Sequence, residues 1–142
     1  MKIRRATEQD AQGIFRLNQA FGYEYPLEAT ADKLLAAVSD PGQCVLVAEA
    51  ADGVLSGYIH LEDYDTLYFP HMKNILGLIV LPEYRKRGIA SALLAEAENW
   101  AKDTGAAGIR LDSGAERTPA HACYCKAGYT ERKLHKNFIK LF

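Results

Sequence analysis

Three consecutive cations, Arg85, Lys86 and Arg87, are followed by Gly88 and then by the small first turn Ile89, Ala90, Ser91. A helix start offers several backbone N–H groups with no partner inside the helix, and its dipole adds partial positive charge. A glycine before it lets a ligand approach the main chain, and neighbouring guanidinium groups add charge-assisted bonds. The combination suits a phosphate or diphosphate. The string runs Arg-x-x-Gly-x-Ala from Arg85 to Ala90 and matches neither GxxxxGK[ST] nor GxGxxG. Taken alone it also describes a solvated basic loop. Its position, between the apolar run "NILGLIVL" and a helix with Leu93, Leu94, Ala97, Trp100 and Ala101 on one face, favours the anion site.

A second group of reactive side chains lies in "TPAHACYCKAGY". Residues two apart on a helix sit about 200° round the axis, so Cys123 faces away from His121 and Cys125. Two ligands on one face do not make a zinc site, and no metal is expected. Tyr124 carries a phenol that stays protonated at neutral pH and can give up a proton, or can simply bond a carbonyl in a core. A third group, His60, Glu62, Asp63 and His71, brackets the polar and aromatic stretch "HLEDYDTLYFPH". Together with Tyr23, Glu24 and Tyr25 of "FGYEYP", the residues Tyr64, Asp65, Tyr68 and Phe69 mix aromatic faces with carboxylates. Such a lining attracts a cationic amine with an apolar body. The same loops also suit ordinary aromatic anchors or a homodimer contact.

These groups need a scaffold, and the patterning supplies one. "KIRRA" reads as a strand, and Thr7 caps a helix that buries Ala11, Ile14, Phe15 and Leu17. Gly22 and Pro26 break it, and Thr30 is placed to cap a second helix through Leu34, Leu35 and Val38. "QCVLVAEA" and "VLSGYIHL" form a hairpin about "ADG". "EDYDTLYFPHMK" reads as a loop, and "NILGLIVL" as a central strand ended by Pro82. The helix after the basic loop stops at Gly105, and "GIRLDS" returns as a strand parallel to "NILGLIVL". A short helix from Pro119 to Gly128 follows, and "YTERKLHKNFIKLF" closes as a bent strand or hairpin. The order is β-α-α-β-β-β-α-β-α-β in one domain, residues 1–142.

Composition narrows the function. The 142 residues carry a net charge of −1, against the cationic excess of a general nucleic-acid binder. The basic cluster is therefore local. Three cysteines without a framework spacing fit a reducing compartment, and neither a leader-like apolar segment nor a membrane-length run is present. A soluble cytoplasmic protein with no membrane partner is expected.

"LIVLPEYRKRGIASALLAEAENWA" resembles the acetyl-coenzyme A signature of the GNAT N-acetyltransferases, Arg/Gln-x-x-Gly-x-Gly/Ala. "ERTPAHACYCKAGYTE" resembles the family's later motif, here Ala120, Cys123-Tyr124 and Gly128-Tyr129. The element order agrees over essentially the whole chain. The resemblance implies an α/β (α+β) fold: a mixed, mostly antiparallel sheet with a splayed parallel pair and helices on both faces. It implies acetyl-CoA as co-substrate, its pyrophosphate on the amides of Arg87, Gly88, Ile89, Ala90 and Ser91, with Arg85 and Lys86 nearby. The main chain of Leu78, Ile79 and Val80 would pair with pantetheine, with the N–H of Leu78 or Ile79 facing the oxyanion. Tyr124 would protonate the departing thiolate, and Arg117 stands where many relatives have a cofactor-contacting asparagine. Leu76 and Gly77 occupy positions where many relatives carry a carboxylate base, so the base moves to Glu62 first, with His60, Asp63, His71 or a water chain behind it. The acceptor would be a primary amine of a small molecule or peptide. The alternative is a GNAT-like module that binds acyl-CoA without turnover.

Overall fold

The computed structural model describes all 142 residues. They divide into two compact units, Met1–Leu111 and Asp112–Phe142.

The first unit is a five-stranded sheet with three helices. Strands β1 (Lys2–Arg5), β2 (Gln43–Glu49), β3 (Leu55–Thr66), β4 (Phe69–Val80) and β5 (Gly108–Arg110) lie in that order. The first three pairings are antiparallel, and β4–β5 is parallel. Helices α1 (Ala11–Ala20) and α2 (Leu27–Val38) precede β2, and α3 (Ile89–Asp103) makes the crossover from β4 to β5. No helix is long and apolar enough to cross a membrane.

Strand β2 shows why the sheet is covered twice. Its central residues Cys44 to Ala48 are all buried. Val45 and Val47 join Ile14 and Leu17 of α1 and Leu34 and Ala37 of α2 in one core. Successive strand side chains point to opposite faces, so Cys44, Leu46 and Ala48 turn to the face that α3 packs against. There Leu93, Leu94, Ala97, Trp100 and Ala101 are buried, as the sequence pattern requires.

Three expectations change. The stretch read as a loop, "EDYDTLYFPHMK", is the tip of a long hairpin, because β3 runs on to Thr66 and β4 begins at Phe69. Its polar residues bond across the pair: Asn74 Nδ2 donates to Glu62 at 2.8 Å, Lys73 pairs with Asp63, and His71 Nδ1 bonds Asp65 at 2.7 Å. Aromatic and β-branched side chains, with matched cross-strand pairs, make a polar segment a good strand. Thr30 does not cap α2. The helix starts at Leu27 behind Pro26, whose fixed φ suits that position, and Thr30 bonds the Pro26 carbonyl through both N–H and hydroxyl. Finally, residues 129–142 form no strand. Antiparallel pairing needs a partner edge, and no strand pairing involves this segment.

Lys73 is only 2% exposed. Its ammonium pairs with Asp63 and lies 4.2 Å from the centre of the Trp100 ring, joining β4, β3 and α3. Thr7 caps the chain as expected, through a short 3-10 turn (Glu8–Asp10) ahead of α1. Asp10 completes a capping box on the Thr7 N–H and takes a forked bond from Arg4 at 2.8 and 2.9 Å.

The second unit holds α4 (Thr118–Lys126), with Pro119 in its first turn. Gly128, at φ 95°, turns the chain out of it.

The Arg4 guanidinium holds the Asp10 carboxyl below the usual aspartate range, and the Thr7 N–H adds to this against the effect of burial. A depressed folded-state pKa contributes stability above the unfolded value that is lost as pH falls through the folded one. Asp10→Asn is expected to cost about 1–3 kcal/mol at pH 7. The gap to wild type should shrink as pH drops below about 4, measured by urea unfolding across pH. A gap unchanged by acid would show that the charge of Asp10 is not what stabilises.

Candidate functional site

Strand β4 reaches the basic loop with one edge bare. β5 pairs only with Met72, Lys73 and Asn74, so Ile75–Val80 has no strand beside it on that side. Alternate N–H and C=O groups of that stretch point away from β3. This is the expected splay, and Leu78, Ile79 and Val80 lie along it. A bulge adds to it: His60 pairs with Gly77 and Leu61 with Ile75, leaving Leu76 as the extra residue, half-exposed. Bulges re-aim the main chain and recur beside active sites.

Beyond Pro82–Tyr84, a 3-10 turn, the chain enters the loop through Lys86, the one non-glycine residue with positive φ, at 62°. Gly88 follows at φ 79° and serves as the N-cap of α3. No side chain caps this helix, so the first-turn amides of Ile89, Ala90 and Ser91 are left for a ligand. A Cβ on Gly88 would meet nothing within 4 Å, so the conformation, rather than crowding, is what asks for glycine. Two of the three cations lie on aromatic rings. Arg85 lies 5.5 Å from the Phe21 ring centre and Arg87 5.2 Å from that of Tyr84. Arg87 also lines a cavity of about 770 Å³ with Arg16, Gln19, Glu83 and Tyr84.

The sequence candidates for a base separate onto two faces. Tyr58 packs on the α1–α2 core, so its alternates His60, Glu62 and Tyr64 share that face. Asp63 is on the α3 face, held by Lys73, with His71 Nε2 3.6 Å from it. On the α1–α2 face the polar groups are linked. The Tyr58 hydroxyl donates to Asn18 Oδ1 at 2.6 Å, and His60 Nε2 meets Gln43 Oε1 at 2.8 Å. Glu62 accepts from Asn74, whose Oδ1 accepts from Arg110 at 2.7 Å, and Arg110 lies over Tyr64. Burial, aided by nearby Tyr23, pushes the Tyr58 phenol up to about 12. Burial lowers His60 below its ordinary value, with Glu62 pulling the other way. Both shifts favour the neutral form.

Asn18, Gln43, Asn74 and Arg110 escaped the sequence reading. Asn74 had a signal, as the lone polar residue opening an apolar strand. The other three are tied to the site only by cross-strand register and helix packing. Tyr23 and Tyr25, between α1 and α2, are substantially exposed, as are Tyr68 and Phe69 at the hairpin tip.

Within the second unit, Arg117 stands at the start of α4, and His121 Nε2 bonds the Gly114 carbonyl oxygen at 2.8 Å. The Tyr124 ring meets Tyr129 edge-on, with centres 5.9 Å apart. Burial raises the Tyr124 phenol, while Arg117 lowers it. It is protonated throughout the neutral range.

Residues 11–129 match the acetyltransferase (GNAT) family model, a span that includes parts of both units. The chain is 31% identical to aminoalkylphosphonate N-acetyltransferase of Salmonella typhimurium, over 98% of this chain and 90% of that protein. It is 29% identical to aminoglycoside N(6')-acetyltransferase type 1 of Stenotrophomonas maltophilia, over 91% and 86%. The fold is that of AAC(6')-Iy in complex with a CoA bisubstrate analogue, with TM-score 0.88 and 21% identity over 99% and 98% of the two chains. The CoA complex of AAC(6')-Iy agrees at TM-score 0.87, 22% identity and 98% and 93% coverage. The bare edge of β4, the uncapped start of α3 and these matches together place the chain in the GNAT family of acetyl-CoA-dependent N-acetyltransferases.

Proposed function

We propose that the whole chain acts as one N-acetyltransferase domain that moves an acetyl group from acetyl-CoA to a primary amine of a small molecule or peptide. The observation that carries this is the bare edge of β4 over Ile75–Val80, followed along the chain by the uncapped first turn of α3. Pantetheine amides add to the strand edge, and the pyrophosphate takes the amides from Arg87 to Ser91, with Arg85 and Lys86 adding charge. Arg117 contributes to the same cofactor. Neither nucleic acid nor membrane enters the reading, whereas a homodimer does. The compartment is the cytoplasm.

The amine nitrogen attacks the thioester carbonyl carbon, and the carbonyl electrons move to oxygen, where the N–H of Leu78 or Ile79 meets them. The C–S bond then breaks, and Tyr124 gives its phenolic proton to the sulfur. The ammonium proton passes to a base. Glu62 takes that role, through water, in our reading. One observation favours His60 instead: it stands across from Gly77, beside the bulge, and burial keeps it neutral and able to accept.

The acceptor amine meets carboxylates and aromatic rings at Tyr23, Glu24, Tyr25 and the β3–β4 hairpin. The named activities of the relatives suggest aminoalkylphosphonates and aminoglycosides as first members of an amine panel. Thiol release from acetyl-CoA with at least one amine is expected. Binding of acetyl-CoA without release for any amine would favour the non-catalytic sensor.

Gly88→Glu should abolish acetyl-CoA binding by calorimetry, since it puts a strained, negative side chain where the anion sits, while Lys86→Ala should only weaken it. Near-wild-type binding by Gly88→Glu would undo the cofactor assignment. Tyr124→Phe should lower kcat by about 10²–10⁴-fold with acetyl-CoA affinity kept. Full turnover by this variant would remove Tyr124 from the chemistry. Glu62→Gln should lower kcat/KM by about 10²-fold or more, and His60→Gln by much less. The opposite result transfers the base role to His60.

A further inference from the structure

Gly77 is a glycine that the fold itself does not require. It lies inside β4, where glycine weakens a strand, and its φ is not positive. At Gly57 of β3 an added Cβ would come within 2.7 Å of the Ile79 carbonyl oxygen, so packing explains that glycine. At Gly77 the nearest atoms to an added Cβ are Cε2 and the hydroxyl oxygen of Tyr58, both at 3.9 Å, an ordinary contact. A strand glycine without an internal cause marks a place where a ligand comes close to the backbone. Gly77 shares the α1–α2 face with its cross-strand partner His60 and with Tyr58. The Tyr58 hydroxyl, at the rim of the gap, directs its proton at Asn18 Oδ1, 2.6 Å away. A hydroxyl has one proton to donate, so toward the gap this oxygen can only accept.

We infer that the gap over Gly77 seats the reacting nitrogen of the acceptor amine, and that the Tyr58 hydroxyl oxygen accepts one of its N–H bonds. This deepens the acetyl-transfer reading and rests on it. On that reading pantetheine runs along β4 from the α3 end, and the thioester carbonyl meets the N–H of Leu78 or Ile79. Gly77 is the next residue along the strand, so an amine seated there stands beside the carbonyl carbon. Its other N–H remains for the base, with His60 across the strand pair and Glu62 two residues further along β3. Burial keeps the Tyr58 phenol neutral up to about 12, so it holds the amine without giving up its own proton. Tyr23 lies near enough to add to that shift, which brings the α1–α2 connection to the same spot.

Initial rates of thiol release are measured on the full chain with acetyl-CoA and the best acceptor among 2-aminoethylphosphonate, neamine and a lysine peptide. Gly77→Ala puts a methyl group in the gap, where it fits without strain. Its Tm should equal or exceed that of wild type, because alanine restricts the unfolded chain. Its acetyl-CoA Kd by calorimetry should be unchanged, and its KM for the amine should rise about tenfold or more. Tyr58→Phe should raise the amine KM by a similar factor, again with the acetyl-CoA Kd kept. Gly77→Ala decides alone if Tyr58→Phe loses its far-UV spectrum. A glycine with no role beyond the strand predicts a Gly77→Ala enzyme as active as wild type, and that result would overturn the amine seat. So would an amine KM untouched by Tyr58→Phe, or a loss of acetyl-CoA affinity in either folded variant with the amine KM kept. Wild type that releases thiol with none of the amines would instead remove the acetyl-transfer reading, and the seat with it.

Discussion

Backbone hydrogen bonds must be accounted for, and β4 is where this sheet leaves them open. Pairing with β5 stops after Asn74, while pairing with β3 continues to Val80. The strand is therefore anchored on one side and bare on the other. An unpaired N–H or C=O out of water is costly, so the edge is stable only while water or a ligand meets it. The elements around it hold β4 in place without a second neighbour. The long hairpin with β3 fixes its register, and the core of α1 and α2 grips Ile79 and Leu81. The Lys73–Asp63 pair under Trp100 locks the end where β5 lets go.

That division of labour explains how the polar residues are spent. On the α3 face, Asp63 and Lys73 satisfy one another, and His71 is engaged with Asp65 and Asp63. Removing Asp63 would strand the buried ammonium of Lys73, so that pair is committed to holding the sheet. On the α1–α2 face the polar groups form a line along the strand direction: Tyr58, His60, Glu62, Tyr64. Their partners there are amides, Asn18, Gln43 and Asn74, which orient without neutralising. One strand thus carries a charged pair on one side and amide-bonded polar side chains on the other, and the period of two keeps them apart.

Much of this was legible in the sequence. The signature from Arg85 to Ala90, the apolar run before it and the face of α3 each rest on local pattern, and the structure keeps all three elements where the pattern puts them. The apolar run Cys44 to Ala48 of β2 was readable as a strand. What failed was set by distant partners. The hairpin tip looked like a loop because its charges point to neighbours twelve or fewer residues away, which only the register reveals. The bulge at Leu76 has no residue signature, since leucine and glycine also stand in plain strands. Thr30 satisfied the rule for a cap, but Pro26 reached the helix start first. The final segment had the composition of a strand, and composition does not supply an edge to pair with.

The electrostatics of the α1–α2 face follow from the same geometry. Burial raises the Tyr58 phenol and lowers the His60 imidazole, and in both cases the charged form is the one disfavoured. Desolvation does not discriminate between side chains and bound molecules. On the reading proposed above, an ammonium brought to this face would meet the same penalty. The proposed acceptor site would then favour the neutral, attacking amine. A carboxylate at Leu76 or Gly77 would raise the negative potential where the neutral amine is needed. With those two positions apolar, the proposed deprotonation would draw on desolvation together with a proton acceptor elsewhere, rather than on a charge on β4 itself.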